Sequence, residues 1–259
     1  MDPGWVGMKV ADRTARQARP ALGPRRGWSH ERLLTAGVLF GWSVLLWWLI
    51  LLDRVPLYLG SRTSWIVPVG AVVVTVVAIG MIGSARGRRS APLRSRQVIV
   101  AAALTVPVIL VTMSPPTTLG SFSVDRKAAF SGRGLTTFWG TFDERSGITL
   151  QFAAAAQFWP SARKLLAGRA GEIVTFDGFV SRESDTPPDE FLLTRFVITC
   201  CVADATIVQV RVVDVPPGRF ETDAWVEVRG AIFPMGAQII VTADSVEPIA
   251  TPRSPYLAA

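Results

Sequence analysis

Apolar positions along this chain fall into two regimes. Up to about residue 113 they run together in long uncharged blocks; beyond about residue 170 they come in short runs of Val, Ile and Phe broken by turn residues. Leu33 to Leu52 (LLTAGVLFGWSVLLWWLILL) is uncharged over about 20 residues, the length a helix needs to cross the hydrocarbon of a bilayer. Trp65 to Ile82 (WIVPVGAVVVTVVAIGMI) is a second such block, with Pro68 in its first turn, where a missing N–H costs little. Val98 to Met113 is shorter, is interrupted by Pro107 and stops at Ser114-Pro115-Pro116. It reads as a third span or, alternatively, as a buried core helix. Gly37 and Gly41 form a small-xxx-small pair that either admits a neighbouring helix or is incidental.

Past the spans, Ser114 to about Gly147 is irregular and is expected to be a tether with an initial strand. Ile148 to Ala167 (ITLQFAAAAQFWPSARKLLA) predicts a helix interrupted or begun near Pro160. The period then changes to that of strands: Glu172–Ser181, Phe191–Cys201, Thr206–Val213, Trp225–Arg229 and Gln238–Thr242. These are bounded by Asp185–Asp189, Pro216-Pro217-Gly218 and Phe233–Gly236. Five short strands fit a small closed barrel of the OB type, or failing that a sandwich. Alternation within Trp225–Gly230 sends Val226 and Val228 to the core, leaving Trp225 as a surface anchor or a cover for an open barrel end. The expected fold is therefore membrane α plus soluble β. Its parts are a basic tail over 1–32, spans near 33–52, 65–82 and 98–113, a tether and pre-barrel segment over 114–170, an OB-like barrel over 171–250, and a C-terminal tail over 251–259.

Charge gives the orientation. The chain has 259 residues and a formal net charge of +7, but residues 1–113 carry 14 Lys and Arg against 4 Asp and Glu, while residues 114–259 carry 13 against 16. The leading segment holds Lys9, Arg13, Arg16, Arg19, Arg25, Arg26 and Arg32. The first connection, Asp53 to Ser64, holds only Arg54 and Arg62, whereas Gly83 to Arg96 holds Arg86, Arg88, Arg89, Arg94 and Arg96. Positive charge concentrates on the cytoplasmic side. The expectation is a multi-pass protein of the cell membrane with a cytoplasmic N-terminus and, given three spans, an extracytoplasmic C-terminal domain; two spans would place that domain inside. The first block is too long and Trp-rich for a cleaved signal, and the residues after Arg25-Arg26 fit a twin-arginine signal poorly. Residues 1–28 lack periodicity and read as a disordered tail.

Few residues offer chemistry. The only histidine is His30, at the first span, which leaves an outside domain without a histidine base or ligand and argues against enzymatic activity. There is no phosphate-cradling glycine loop. The C-terminal part is net acidic, and Phe176, Phe179, Phe191, Phe196 and Phe233 lie in apolar strand runs, so they read as core rather than as a nucleic-acid platform. What remains is Thr199-Cys200-Cys201-Val202-Ala203-Asp204. In a regular strand adjacent side chains face apart, so Cys200 and Cys201 grip one metal only if the strand ends or bulges there. With Asp204 they would then suit a soft or borderline cation such as zinc or Cu(I), with Asp177, Glu183 or Asp189 available to complete the shell. Buried structural thiols and a redox-active vicinal pair are the alternatives.

Taken together, Phe176–Val180, Phe191, Arg195–Ala205 with its Cys-Cys-Val-Ala-Asp-Ala block, Trp225–Gly230, Pro252-Arg253-Ser254-Pro255-Tyr256 and the Pro115–Ser121 stretch resemble the YcgQ-type family of bacterial membrane proteins, described as permease subunits. The resemblance covers most of residues 33–256 and favours three spans. It implies an accessory role beside a separate polytopic permease and a link to zinc or other metal handling; it implies no substrate and no catalytic residue. Gln157-Phe158-Trp159-Pro160 departs from the family's more acidic helical stretch, as do the basic leading tail and the Leu257-Ala258-Ala259 end. The leading expectation is an accessory subunit whose barrel binds substrate or metal near Cys200, Cys201 and Asp204. The alternatives are a stand-alone envelope protein binding a protein or metal, and a thiol-redox protein.

Overall fold

The computed structural model describes residues 30–85, 93–114, 118–124, 126–127, 129 and 147–258. Residues 1–29, Arg86, Arg88 and Arg89, Pro115–Thr117 and most of the expected tether strand lie outside the described residues. Two compact units emerge. One comprises residues 1–44 and 72–111, the other residues 45–71 and 112–259, so the connection between the first two spans belongs with the C-terminal domain.

Among the described residues, three helices are long and apolar enough to cross a membrane: α1 (His30–Leu51), α2 (Ile66–Ala85) and α3 (Ser95–Met113). The helix α3 runs through Pro107 rather than breaking there. In the first unit the buried positions of α1 and α2 are small, Ala36 and Ser43 on the one and Ala78 and Ala85 on the other. Small side chains let backbones approach where the lipid supplies no hydrophobic drive. Ser43 and Thr75 share a 2.6 Å hydrogen bond across the pair, and the Trp42 indole donates to the Leu104 carbonyl on α3 at 3.0 Å. At the charged end Arg32 donates to the Ser84 carbonyl, placing a cation at the last turn of α2, where the helix dipole favours one. Gly37 and Gly41, by contrast, face open space.

In the second unit, a single turn α4 (Ser121–Val124) precedes α5 (Leu150–Ala156) and α6 (Pro160–Ala167). The Thr149 hydroxyl caps α5 by accepting from the Phe152 amide, and Pro160 opens α6 where its missing N–H is an orphan anyway. Six strands follow: β1 (Ile173–Ser181), β2 (Phe191–Ile198), β3 (Thr206–Val213), β4 (Trp225–Met235), β5 (Gln238–Pro248) and β6 (Tyr256–Ala258). Antiparallel pairing joins β1 to β2, β2 to β3, β1 to β4 and β4 to β5, and β3 runs parallel to β5. The ring β1–β2–β3–β5–β4 closes on itself, a five-stranded barrel of the OB type that has no free edge. Phe152 and Leu166 from the helical pair join Val180, Phe191, Leu193, Val226, Val228 and Ile232 in the barrel core.

Three details depart from the alternation pattern. Strand β4 runs on through Phe233-Pro234-Met235 to a tight turn at Gly236, which adopts φ +64, so that stretch is strand and not boundary. Phe233 is then partly exposed, packed near Gly171, and not core. The expected C-terminal tail supplies β6, which pairs in parallel with Phe196–Ile198. Trp225 is neither surface anchor nor end cover. It sits 8% exposed in a second apolar cluster on the outer barrel face with Phe179, Phe196, Ile198, Ile207 and Tyr256, onto which Leu119 and Val124 of the tether pack.

The seam of the barrel lies at Arg195. Strand β1 leaves β2 after Thr194, and β6 takes over from Phe196. Between them the buried Arg195 guanidinium binds both Asp177 carboxylate oxygens at 2.8 Å and the carbonyls of Ser254 and Pro255, and lies 5.6 Å from the Trp225 ring. Burial lowers its pKa, and Asp177 opposes that shift through its charge and hydrogen bonds. A buried cation survives only when its donors are used, and here one side chain ties β1, β2 and the C-terminal strand together. At the bulge in β4, a Cβ on Gly230 would lie 2.1 Å from the Thr242 carbonyl oxygen, so Gly230→Ala must move one strand. Its expected cost is about 1–3 kcal/mol, read as a lowered unfolding midpoint of the full-length protein in detergent; an unchanged midpoint contradicts the bulge geometry.

Candidate functional site

Strand β2 stops at Ile198, three residues earlier than the apolar run suggests, and this frees the cysteines from the ladder. Val202–Asp204 then forms one 3-10 turn. The cause is Asp204, whose carboxylate collects three backbone N–H groups: Thr199 at 2.9 Å, Cys200 at 2.8 Å and Cys201 at 3.2 Å. The Cys201 sulfur in return accepts from the Asp204 amide, a reciprocal cap. Donors that would have extended β2 are spent on a side chain three to five residues ahead, and the strand ends.

The turn brings Cys200, Cys201 and Asp204 together. Their sulfur and carboxylate ligand atoms lie within 4.8 Å of one another, with Cys200 exposed and Cys201 half-buried. Asp177, Glu183 and Asp189 do not join this group; Asp177 is engaged with Arg195 at the seam. The Cys200 thiol is pushed up to about 11, first by its hydrogen bond to Asp204, then by Cys201, burial and the neighbouring negative charge. Burial works to raise the Asp204 carboxyl, but the Cys200 thiol and the three backbone donors outweigh it and hold it below its ordinary value. A raised thiol contributes stability present below the ordinary thiol range and lost as pH rises through about 11. The lowered carboxyl contributes stability present above the ordinary carboxylate range and lost as pH falls through its folded-state value. The turn is therefore tightest around neutrality.

The same turn docks on the connection between α1 and α2, within the second unit. The Cys200 carbonyl accepts from the Gly60 amide at 3.1 Å and from the Thr63 hydroxyl at 2.7 Å, and the Val202 amide donates to the Tyr58 carbonyl at 2.9 Å. Leu59 and Cys201 form an antiparallel bridge. A Cβ on Gly60 would lie 3.3 Å from the Thr199 carbonyl, so a glycine suits this close approach. Lys127 of the tether donates to the carbonyls of Val202 and Ala203 at 3.2 and 2.9 Å. Beside the joint is a cavity of about 260 Å³ between Pro56 and Ser61 on one side and Arg195, Ile198 and Ser254 on the other. Tyr58, Gly60, Thr63 and Lys127 gave no local signal; their partners lie some 75 to 140 positions away in the chain.

Chemically, two sulfurs and one carboxylate oxygen would offer a cation three ligands, and zinc takes thiolate at about 2.3 Å and carboxylate at about 2.0–2.2 Å. Three protein ligands would leave a fourth position open on a tetrahedral ion. Three of the roughly four lone-pair sites of Asp204 serve the backbone. The remaining direction meets the Cys200 thiol, so a cation would replace that proton and release it.

Fold and site together define a β-barrel protein with three helices long and apolar enough to cross a membrane and a Cys-Cys-Asp turn whose first cysteine is exposed. Residues 163–258 match the DUF1980 C-terminal domain, an uncharacterised family, and the match takes in α6 from its fourth residue, all six strands and the turn. No curated protein and no solved structure matches the chain.

With its pKa near 11, Cys200 carries a thiolate fraction at pH 8 about a hundredfold below that of a free cysteine. Iodoacetamide should label it correspondingly slowly, with a rate still climbing above pH 9, and Asp204→Asn should speed the labelling. Fast labelling at pH 7 that Asp204→Asn leaves unchanged contradicts the hydrogen-bonded thiol.

Proposed function

We propose that the protein is an accessory subunit of a polytopic permease, with its barrel on the extracytoplasmic face and the Cys200–Cys201–Asp204 turn as an exchange site for a thiophilic cation such as zinc. The observation that carries this reading is the joint: the turn holding the ligand atoms is hydrogen-bonded to Tyr58, Gly60 and Thr63, between the first two spans. Occupancy of the turn is thereby coupled to the ends of α1 and α2, the elements a neighbouring transporter would touch. The alternation of positive charge supports the sidedness, and the YcgQ-type resemblance of the same residues supports the permease partner. A barrel tethered at a pore entrance raises local ligand concentration without performing a reaction of its own.

A thiol-redox role fits less well, because a protonated thiol is a weak nucleophile and Cys200 is pushed up to about 11. A stand-alone envelope role differs only in the absence of the transporter.

Two measurements separate the parts of this reading. Purification from native membranes in mild detergent should recover one polytopic membrane protein in stoichiometric amount; recovery of the chain alone rejects the subunit role. Zinc added to the purified full-length protein at about a hundredfold over Kd should stabilise it by about 2.7 kcal/mol. Cys200→Ser, Cys201→Ser and Asp204→Asn should each abolish that gain. No bound zinc and no shift reject the cation site while leaving the subunit role to the first measurement.

A further inference from the structure

The first unit holds a groove that the proposed function leaves unused. It runs between α1 and α3 with a volume of about 440 Å³, in the range of small-ligand sites. Leu34 and Val38 form one wall, Val100 and Leu104 the other. Val100 and Leu104 are each 50% exposed, so the groove opens sideways, toward the hydrocarbon in a membrane, rather than into a closed core. One end is charged: Arg94, Arg96 and Gln97 from the start of α3 face Glu31 at the start of α1.

We infer that this groove binds one anionic phospholipid, with an acyl chain along Leu34, Val38, Val100 and Leu104 and the phosphate at Arg94 and Arg96. Both arginines are exposed and neither has an ion-pair partner among the described residues. At the start of α3 the Gln97 side chain accepts from the Arg94 amide and the Gln97 amide bonds the Arg94 carbonyl, so the attraction for an anion rests on the two guanidinium groups. Two arginines against Glu31 leave one net positive charge, which complements a lipid of one net negative charge. A zwitterionic lipid would bring its own ammonium group to the arginines. A partner helix would have to leave both cations unpaired at an apolar contact or supply carboxylates to meet them. The site stands on the helices alone and is independent of the permease reading and of the cysteine turn.

The test uses the full-length protein, delipidated in mild detergent, with phosphatidylglycerol and phosphatidylethanolamine offered in equal amounts and retained lipid counted by native mass spectrometry. Phosphatidylglycerol should be retained preferentially. Arg94→Ala and Arg96→Ala should each lower its retention about fivefold without moving the unfolding midpoint, as expected for one juxtamembrane cation. Ala101→Trp, which fills the groove, should displace the lipid with both arginines intact. Equal retention of the two lipids overturns the inference, as does undiminished phosphatidylglycerol in the double arginine variant. A photocrosslinker at Val100 that captures a protein rather than lipid in native membranes also overturns it, in favour of a partner helix.

Discussion

The backbone pairing of Tyr58–Gly60 with Cys200–Val202 is the constraint on which the second unit depends. Here the connection between the first two spans adds an antiparallel bridge to the barrel, and Lys127 holds the same turn from the tether side. The turn is therefore fixed by two chain segments distant in sequence. Because it also carries Cys200, Cys201 and Asp204, the candidate ligand group sits at this joint.

Closure of the barrel sets up that joint. Strand β2 is shared by β1 over its first half and by β6 over its second, and Arg195 fills the gap where one partner gives way to the other. With β6 in place, Tyr256 seals the outer apolar cluster and its hydroxyl accepts from the Leu119 amide. Asp223 anchors the tether further along through the Ser121 amide and hydroxyl. The tether thus covers apolar surface on the outside of β1, β2 and β3. In OB-type barrels the face of β2 and β3 commonly receives a ligand; in this chain Leu119 and Val124 pack over part of that surface instead.

Much of this was legible beforehand where the physics is local. Uncharged runs of about 20 residues declare spans, and period-two alternation declares strands, because each depends only on neighbours in sequence. The helix broken at Pro160, the OB-like barrel and the convergence of Cys200, Cys201 and Asp204 if the strand stopped were readable in the same way. Three readings went astray for non-local reasons. Phe233 looked like core, but β4 continues past its expected end. Trp225 looked like a surface residue, but a second apolar layer covers it. The final residues looked like a tail, but Arg195 and Phe196–Ile198 give them a place to pair.

By itself the sequence determined the membrane anchor, the basic and acidic halves, the strand-rich domain and the residue types available for a site. Composition and periodicity suffice for those, since burial in lipid or in a sheet imposes its pattern one residue at a time. Only the tertiary structure decided that Asp204 ends β2 by taking its amide donors, that the freed turn locks onto Tyr58, Gly60 and Thr63, and that α1 and α3 leave a groove with arginines at its mouth. The first is a short-range capture that depends on where the strand runs, and the other two join groups far apart along the chain. Such pairings follow from how the backbone closes in space, and no local pattern records them.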